Sequence, residues 1–345
     1  MNKFILTLIL GVTLFNIILT VSFIKGYSPS LFEPKQENEE EQQRILDKYS
    51  IEALKIRSYM EQKIEIGEIS AKGKEFETRY FKFATDGKTV TGLINLPRDT
   101  LSPNPVIILL RGYVDREIYT PGTGSKRVGE AFASANLITL APDFLGYGQS
   151  SSPSAYPLEE RFETYTTAVN LLKSVANLNE AFLKSGIPNK ADMGKIGIWG
   201  HSNGGHIALA LLEISGVNFP TVLWAPVSRS FPYSILFYSD EFEDEGRSLR
   251  KVLADFEKDY DSNKYSITKY LDEISAPIQL HQGEEDLEVP RYWSDEFTEI
   301  LKEKNKNIEY YTYAGENHNF QQGSWNTAVQ RSLNFYRQHF SDLAP

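Results

Sequence analysis

The residues best placed to do chemistry are Gly200-His201-Ser202-Asn203-Gly204, a G-x-S-x-G pentapeptide between an apolar run, Lys195 to Trp199, and a helix-like one, Gly205 to Ile214. A strand before such a pentapeptide and a helix after it is the setting of a nucleophile elbow, where a serine hydroxyl stands on a sharp turn. The glycines have a physical reason, because a strained strand-to-helix turn brings neighbouring backbone too close to leave room for a Cβ. A serine hydroxyl is a weak nucleophile alone, so a base must take its proton and an acid must orient that base. Two later segments offer both groups. Ala276 to Gln282 reads as a buried strand running into a loop that holds Glu284, Glu285, Asp286 and Glu288. Ile308 to Tyr313 reads as another strand, running into Ala314 to Phe320 with Glu316 and His318. The order is serine, acid, histidine, each just past a predicted strand end, where catalytic groups gather in open α/β sheets.

The elements that must position these groups are legible as well. Thr78 to Ala84 and Lys88 to Leu96, rich in β-branched and aromatic residues around Asp86-Gly87, predict an N-terminal β-hairpin. Val106 to Leu110 and Asn136 to Leu140 read as strands of parallel units, with Lys126 to Ser134 and Leu158 to Leu183 as largely helical connections. Ser228 to Ser275 is long for a connection and mixes Phe231, Tyr233, Phe237 and Tyr238 with Asp240, Glu241, Glu243, Asp244 and Glu245. It reads either as a lid over the site or as an ordinary helical pair packing its aromatics inward. The acid run reads as a wet surface rather than a clamp for a peptide N-terminus.

Gly200 to Gly205, the Gly283-x-x-Asp286-x-x-Val289-Pro290 loop and Gly315-x-x-His318-x-Phe320 together resemble the catalytic domain of the prolyl oligopeptidase family. Asn95-Leu96-Pro97, Val106 to Tyr113 and Ala141 to Gly148 extend the resemblance over roughly residues 75–342. It implies an α/β-hydrolase fold, with a mostly parallel central sheet and helices on both faces, and a Ser202-Asp286-His318 triad that hydrolyses peptide or ester bonds. Asp286 has the matching Gly-x-x-Asp spacing among the neighbouring acids. In this fold the oxyanion hole takes the backbone N–H after the nucleophile, here Asn203, and one from the loop after an early strand, here Tyr113. Two features depart from the family pattern. Arg111-Gly112 stands where His-Gly is usual, and a structural ion pair beneath the site is favoured for Arg111 over contact with an anionic substrate group. Before residue 75 nothing repeats in the manner of four-stranded blades, so the substrate filter is expected inside the hydrolase domain.

Met1-Asn2-Lys3 precedes an uncharged run, Phe4 to Ile24, long enough to span a bilayer as a helix. It exceeds the apolar core of about 7 to 15 residues usual in a cleaved signal peptide. The expectation is an uncleaved anchor with the catalytic domain outside, or a secreted protein if the leader is removed. The predicted organisation is a leader over 1–26, a tether and amphipathic helical stalk over 27–74, and the catalytic domain over 75–345 with a candidate lid at 228–275.

With 46 acidic against 36 basic residues and a formal net charge of -10, the chain is not built for general nucleic-acid binding. The absence of cysteine removes disulfides and thiol nucleophiles. None of the five histidines forms a ligand pair at metal-site spacing, so neither metal nor other cofactor is expected. The expected partner is a small-molecule or short-peptide substrate. Three readings follow: a serine peptidase for short peptides, a carboxylesterase or related acyl hydrolase, and a catalytically silent hydrolase-like binding protein.

Overall fold

The computed structural model describes residues 45–99, 101–241 and 243–342. The apolar run Phe4 to Ile24 and the tether after it therefore lie outside the described residues, and among those described no helix is long and apolar enough to cross a membrane. Leu46 to Pro345 form one unit, distinct from the segment before it.

Nine strands make one sheet: β1 (Glu65–Lys72), β2 (Phe76–Thr85), β3 (Lys88–Pro97), β4 (Asn104–Leu110), β5 (Ile138–Pro142), β6 (Ala191–His201), β7 (Thr221–Trp224), β8 (Ile278–Gly283) and β9 (Ile308–Tyr313). Their spatial order is β1-β2-β3-β5-β4-β6-β7-β8-β9. From β5 to β9 every neighbouring pair is parallel, while β1, β2 and β3 join antiparallel at one side. The architecture is an α/β-hydrolase fold with a mostly parallel sheet. Thr85 pairs with Lys88 across Asp86 and Gly87, both at positive φ, which is the backbone a two-residue primed turn requires.

The parallel strands are apolar on both faces because helices cover both. Ile107, Leu109, Trp199, Val222 and Trp224 share one face and pack against Val128 and Phe132 of α2 (Lys126–Ser134) and Leu333, Tyr336 and Phe340 of α9 (Trp325–Asp342). Alternate residues Val106, Ile108, Leu110 and Ile198 are equally buried and face the other layer, which holds α3 (Pro157–Ser174) and α5 (Asn203–Ser215). In the connections, α1 (Ile51–Ile56) precedes the sheet, α4 (Leu178–Lys184) follows α3, α6 (Tyr233–Leu236) and α7 (Arg247–Asp259) lie between β7 and β8, and α8 (Arg291–Glu303) lies between β8 and β9.

The folded unit begins well before residue 75. Ser50 caps α1 by accepting from the Ala53 N–H, Ile51 and Leu54 are buried, and the Leu46 carbonyl accepts from the Tyr265 hydroxyl. Glu65–Lys72, assigned from sequence to a helical stalk, is an edge strand on β2. Its residues are mostly exposed, so it carries no period-two apolar pattern to announce it.

Glu213 on α5 is fully buried, and neither carboxyl oxygen has a hydrogen-bond partner among the described residues. Burial raises its pKa well above the ordinary 4.5. The folded chain therefore keeps a proton that the unfolded chain releases, so stability is full below pH 4.5 and falls as pH rises through the folded-state value. Between pH 4.5 and that value, urea unfolding across a pH series should show Glu213→Gln removing a slope of up to about 1.4 kcal/mol per pH unit. Identical slopes in wild type and variant would refute the assignment.

Candidate active site

Ser202 lies between the end of the central strand β6 and the start of α5 at φ 56 and ψ -124, a conformation that costs a non-glycine residue of order 1–3 kcal/mol. Hydrogen bonds on both sides hold it there, Ser202 N–H to the Trp224 carbonyl at 2.9 Å and Val227 N–H to the Ser202 carbonyl at 3.0 Å. The glycines around it are required by close approach. A Cβ at Gly204 would lie 1.9 Å from the Leu110 carbonyl oxygen, and Cβ atoms at Gly200 and Gly205 would meet Gly204 O and Pro226 Cβ at 2.6 Å.

Asp286, just beyond β8, and His318, beyond β9, meet as the chain order requires: His318 Nδ1 lies 2.8 Å from Asp286 Oδ2, both residues buried. Asp286 Oδ1 accepts from the backbone N–H groups of Glu288 and Val289 at 2.9 and 2.8 Å. Oδ2 also accepts from Gln282 Nε2 at 3.0 Å. The competing acids separate by environment. Glu284, Glu285 and Glu288 are exposed. Glu316 is buried, but its carboxylate accepts the N–H groups of Gln322 and Ser324 and so fastens the turn after His318. Glu288 does come near the ring from outside, its Oε2 lying 3.7 Å from His318 Nε2.

Three supports for this pair went unassigned in the sequence. Gln282, fully buried, donates to Asp286, Gly283 O and Val289 O while accepting from Ser294. His201 lies with its ring centre 4.6 Å from that of His318, and its Nε2–H donates to the His318 carbonyl at 3.0 Å. Glu316 is the third. Only His201 carried a signal, its place inside the pentapeptide; the others act on backbone groups that no motif marks.

Ser202 and His318 line one cavity of about 940 Å3, together with Asn203, Gly112 and Tyr113. Ser202 Oγ makes no hydrogen bond among the described residues, and the backbone N–H groups of Asn203 and Tyr113 donate none. The Gly112 loop lies hard against the serine, since a Cβ at Gly112 would stand 2.9 Å from Ser202 Cβ. Tyr113 turns its side chain outward, its hydroxyl donating to Asp115 at 2.8 Å.

Arg111 makes no ion pair among the described residues, contrary to the sequence expectation. It is 4% exposed, and its guanidinium donates to two backbone carbonyls, Gly112 O at 2.8 Å and Asp143 O at 2.7 Å. Its charge lies over the rings of Tyr147 and Tyr119, 4.1 and 4.7 Å from their centres. The Asp143 carboxyl is occupied by Thr91 and Tyr119 instead.

The stretch between β7 and β8 does two jobs. Phe231 and Tyr265 pack on Phe162 of α3 and Phe256 packs on both of them, ring centres 5.1 to 5.5 Å apart. Ser234, Ile235, Tyr238, Leu249 and Val252 line the cavity that holds Ser202. No cluster of three or more His, Asp or Glu side chains suited to a metal ion occurs among the described residues.

Burial holds the imidazoles of His201, His206 and His281 down to a pKa of about 3. For His201 the nearby His318 ring adds to the effect, and for His206 the Arg161 cation does. Histidine-selective 15N spectra should keep these three rings neutral from about pH 5 to about pH 9. His201 should carry its proton on Nε2, and His206 on Nδ1, which faces the Val227 carbonyl at 2.9 Å. A titration of any of the three within that window contradicts the description.

Comparison with known proteins bears on the family and the fold. A family model described as the prolyl oligopeptidase family matches residues 167–342, just over half of the 345-residue chain. An uncharacterized peptidase of Bacillus subtilis, YtmA, is 26% identical over 241 residues, covering 69% of this chain and 84% of its own. Among solved structures, an acetyl xylan esterase from Paenibacillus is similar with a TM-score of 0.59 at 16% identity, over 89% of this chain and 97% of its own. A puromycin-hydrolyzing peptidase of Mycobacterium tuberculosis is similar with a TM-score of 0.53 at 19% identity, over 78% of this chain. The chain spans 40% of that peptidase's length.

Proposed function

The chain belongs to the prolyl oligopeptidase family and is a serine hydrolase, and from that premise we propose that Ser202, His318 and Asp286 hydrolyse short peptides through an acyl-enzyme. The observation that carries this reading is the 2.8 Å contact of the buried Asp286 with His318, whose ring lines the same cavity as Ser202. Ser202 Oγ attacks the substrate carbonyl carbon while His318 Nε2 takes its proton. Asp286 holds the ring through Nδ1 and stabilises the imidazolium. The negative charge that develops on the carbonyl oxygen is received by the Asn203 and Tyr113 N–H groups and by the start of α5. His318 then protonates the leaving amine, and water repeats the sequence on the acyl-enzyme.

Arg111 enters this scheme as a positioning residue. Gly112 C=O and Tyr113 N–H belong to the same planar peptide, so the guanidinium that holds the oxygen also sets the direction of the donor. Ester hydrolysis is the second reading, favoured by the Paenibacillus acetyl xylan esterase that aligns over 97% of its own length without a further domain. Anchorage by Phe4 to Ile24, with catalysis outside the membrane, is proposed from sequence alone.

A fluorophosphonate probe should label the wild type and not Ser202→Ala, and peptide amides should be cleaved at rates that short-chain esters do not dwarf. Absence of Ser202-dependent labelling would leave a silent binding protein, and turnover of esters alone would transfer the assignment to the esterase. Arg111→His should lower kcat by about 10²-fold, the order seen on losing one oxyanion donor. That loss should fall equally on neutral and acidic substrates with KM little changed. A loss confined to acidic substrates would give Arg111 a recognition role instead.

A further inference from the structure

Among the charged residues lining the catalytic cavity, three are acids and one is a fixed cation, Arg161. Two of the acids are already engaged. Glu160 pairs with Arg116, and Asp244 accepts the backbone N–H groups of Gly246 and Ser248. Glu288 is exposed at the mouth.

Arg161 has no carboxylate partner among the described residues. Its polar contacts are to neutral groups, Nη2 lying 3.4 Å from His206 Nε2 and 3.5 Å from the Ser234 hydroxyl with the Tyr165 hydroxyl also in reach, and its Nε is buried without a partner. None of these contacts supplies negative charge: His206 is a neutral ring, bonded also to Tyr165 and Val227, and Ser234 and Tyr165 offer hydroxyls. A guanidinium stays charged at any working pH and is costly to shield from water without an anion. Its position is as telling as its isolation. Arg161 lines both the 940 Å3 cavity and a smaller one of about 180 Å3, and the two share Gly112, Tyr113 and Asn203 with it. The cation thus lines the same space as the Ser202 elbow and the Gly112 loop.

We infer that Arg161 is a carboxylate-binding subsite, so that preferred substrates carry a carboxylate a short reach from the bond cleaved. The inference rests on the hydrolase reading above and adds the substrate class. The carboxylate has two sources, the free C-terminus of a short peptide on the leaving side or an acidic group on the acyl side. Arg161, with planar, forked donors, suits either.

The test compares matched pairs. Peptides ending in a free acid are set against their C-terminal amides, and the p-nitrophenyl monoester of succinic acid against p-nitrophenyl butyrate. The wild type should favour the charged member of at least one pair by about tenfold or more in kcat/KM, the size of one charge-assisted hydrogen-bonded contact, and salt should erode the preference. The favoured pair identifies the source. In Arg161→Met the ratio should fall to about one, while Arg161→Lys should retain part of it. Equal turnover of both members in both pairs, or a preference that survives in Arg161→Met, overturns the inference. A binding readout separates its failure from failure of the hydrolase reading. By calorimetry, Ser202→Ala should bind the peptide acid more tightly than its amide, and the further change Arg161→Met should abolish the difference. If it does not, the subsite is refuted whatever the catalytic outcome.

Discussion

The structure depends on one backbone constraint: a non-glycine residue at positive φ wedged between the end of the central strand and the start of a helix. Ser202 has no freedom to relax, because its N–H is tied to the last residue of the neighbouring strand β7, its C=O to the turn after that strand, and its flanking glycines touch foreign backbone. The 1.9 Å separation that a Cβ at Gly204 would have from Leu110 O means that β4, β6 and α5 are packed main chain against main chain. The strain is therefore distributed over the best-buried part of the sheet, where Ile107, Ile108, Leu110 and Ile198 are all fully buried. Moving the nucleophile would require moving the core.

The imidazole is held by a different principle. Its loop has no regular structure, and side chains bond several of the backbone groups that fix its path. His201 takes the His318 carbonyl, Glu316 takes the two N–H groups that close the turn, and Gln282 ties the acid loop to both of its ends. All three side chains are at least nine-tenths buried, which removes water as a competitor and makes each bond geometrically strict. Burial keeps His201 neutral, and its Nε2–H donates to the His318 carbonyl.

This division explains what the sequence revealed. The elbow and the two loops were readable because their chemistry is local: glycines at fixed offsets, an acid or a histidine a few residues past an apolar run. The supports were not, because Gln282 and Glu316 act on backbone atoms, and any residue type presents those. Edge strand β1 was misread as part of a stalk, since a strand exposed on both faces has no apolar rhythm. Arg111 was placed in an ion pair because a buried cation suggests a carboxylate, whereas two carbonyl oxygens and two aromatic faces take its place. Arg161 passed as an ordinary member of α3; its lack of a carboxylate partner among the described residues is a fact about three-dimensional neighbours.

What the elbow cannot supply is selectivity, because the same arrangement of hydroxyl, imidazole and N–H groups serves amides and esters alike. Selectivity must come from what surrounds the carbonyl, and here the stretch between β7 and β8 matters. Its aromatic side is built into the core through Phe162, so it is anchored rather than draped, while its inner side gives the cavity Ile235, Leu249 and Val252. Phe162 and Arg161 are consecutive residues of α3. The helix that anchors the roof by one side chain therefore fixes the cavity's cation by the next, and the apolar roof and the charge beneath it are set by a single rigid element.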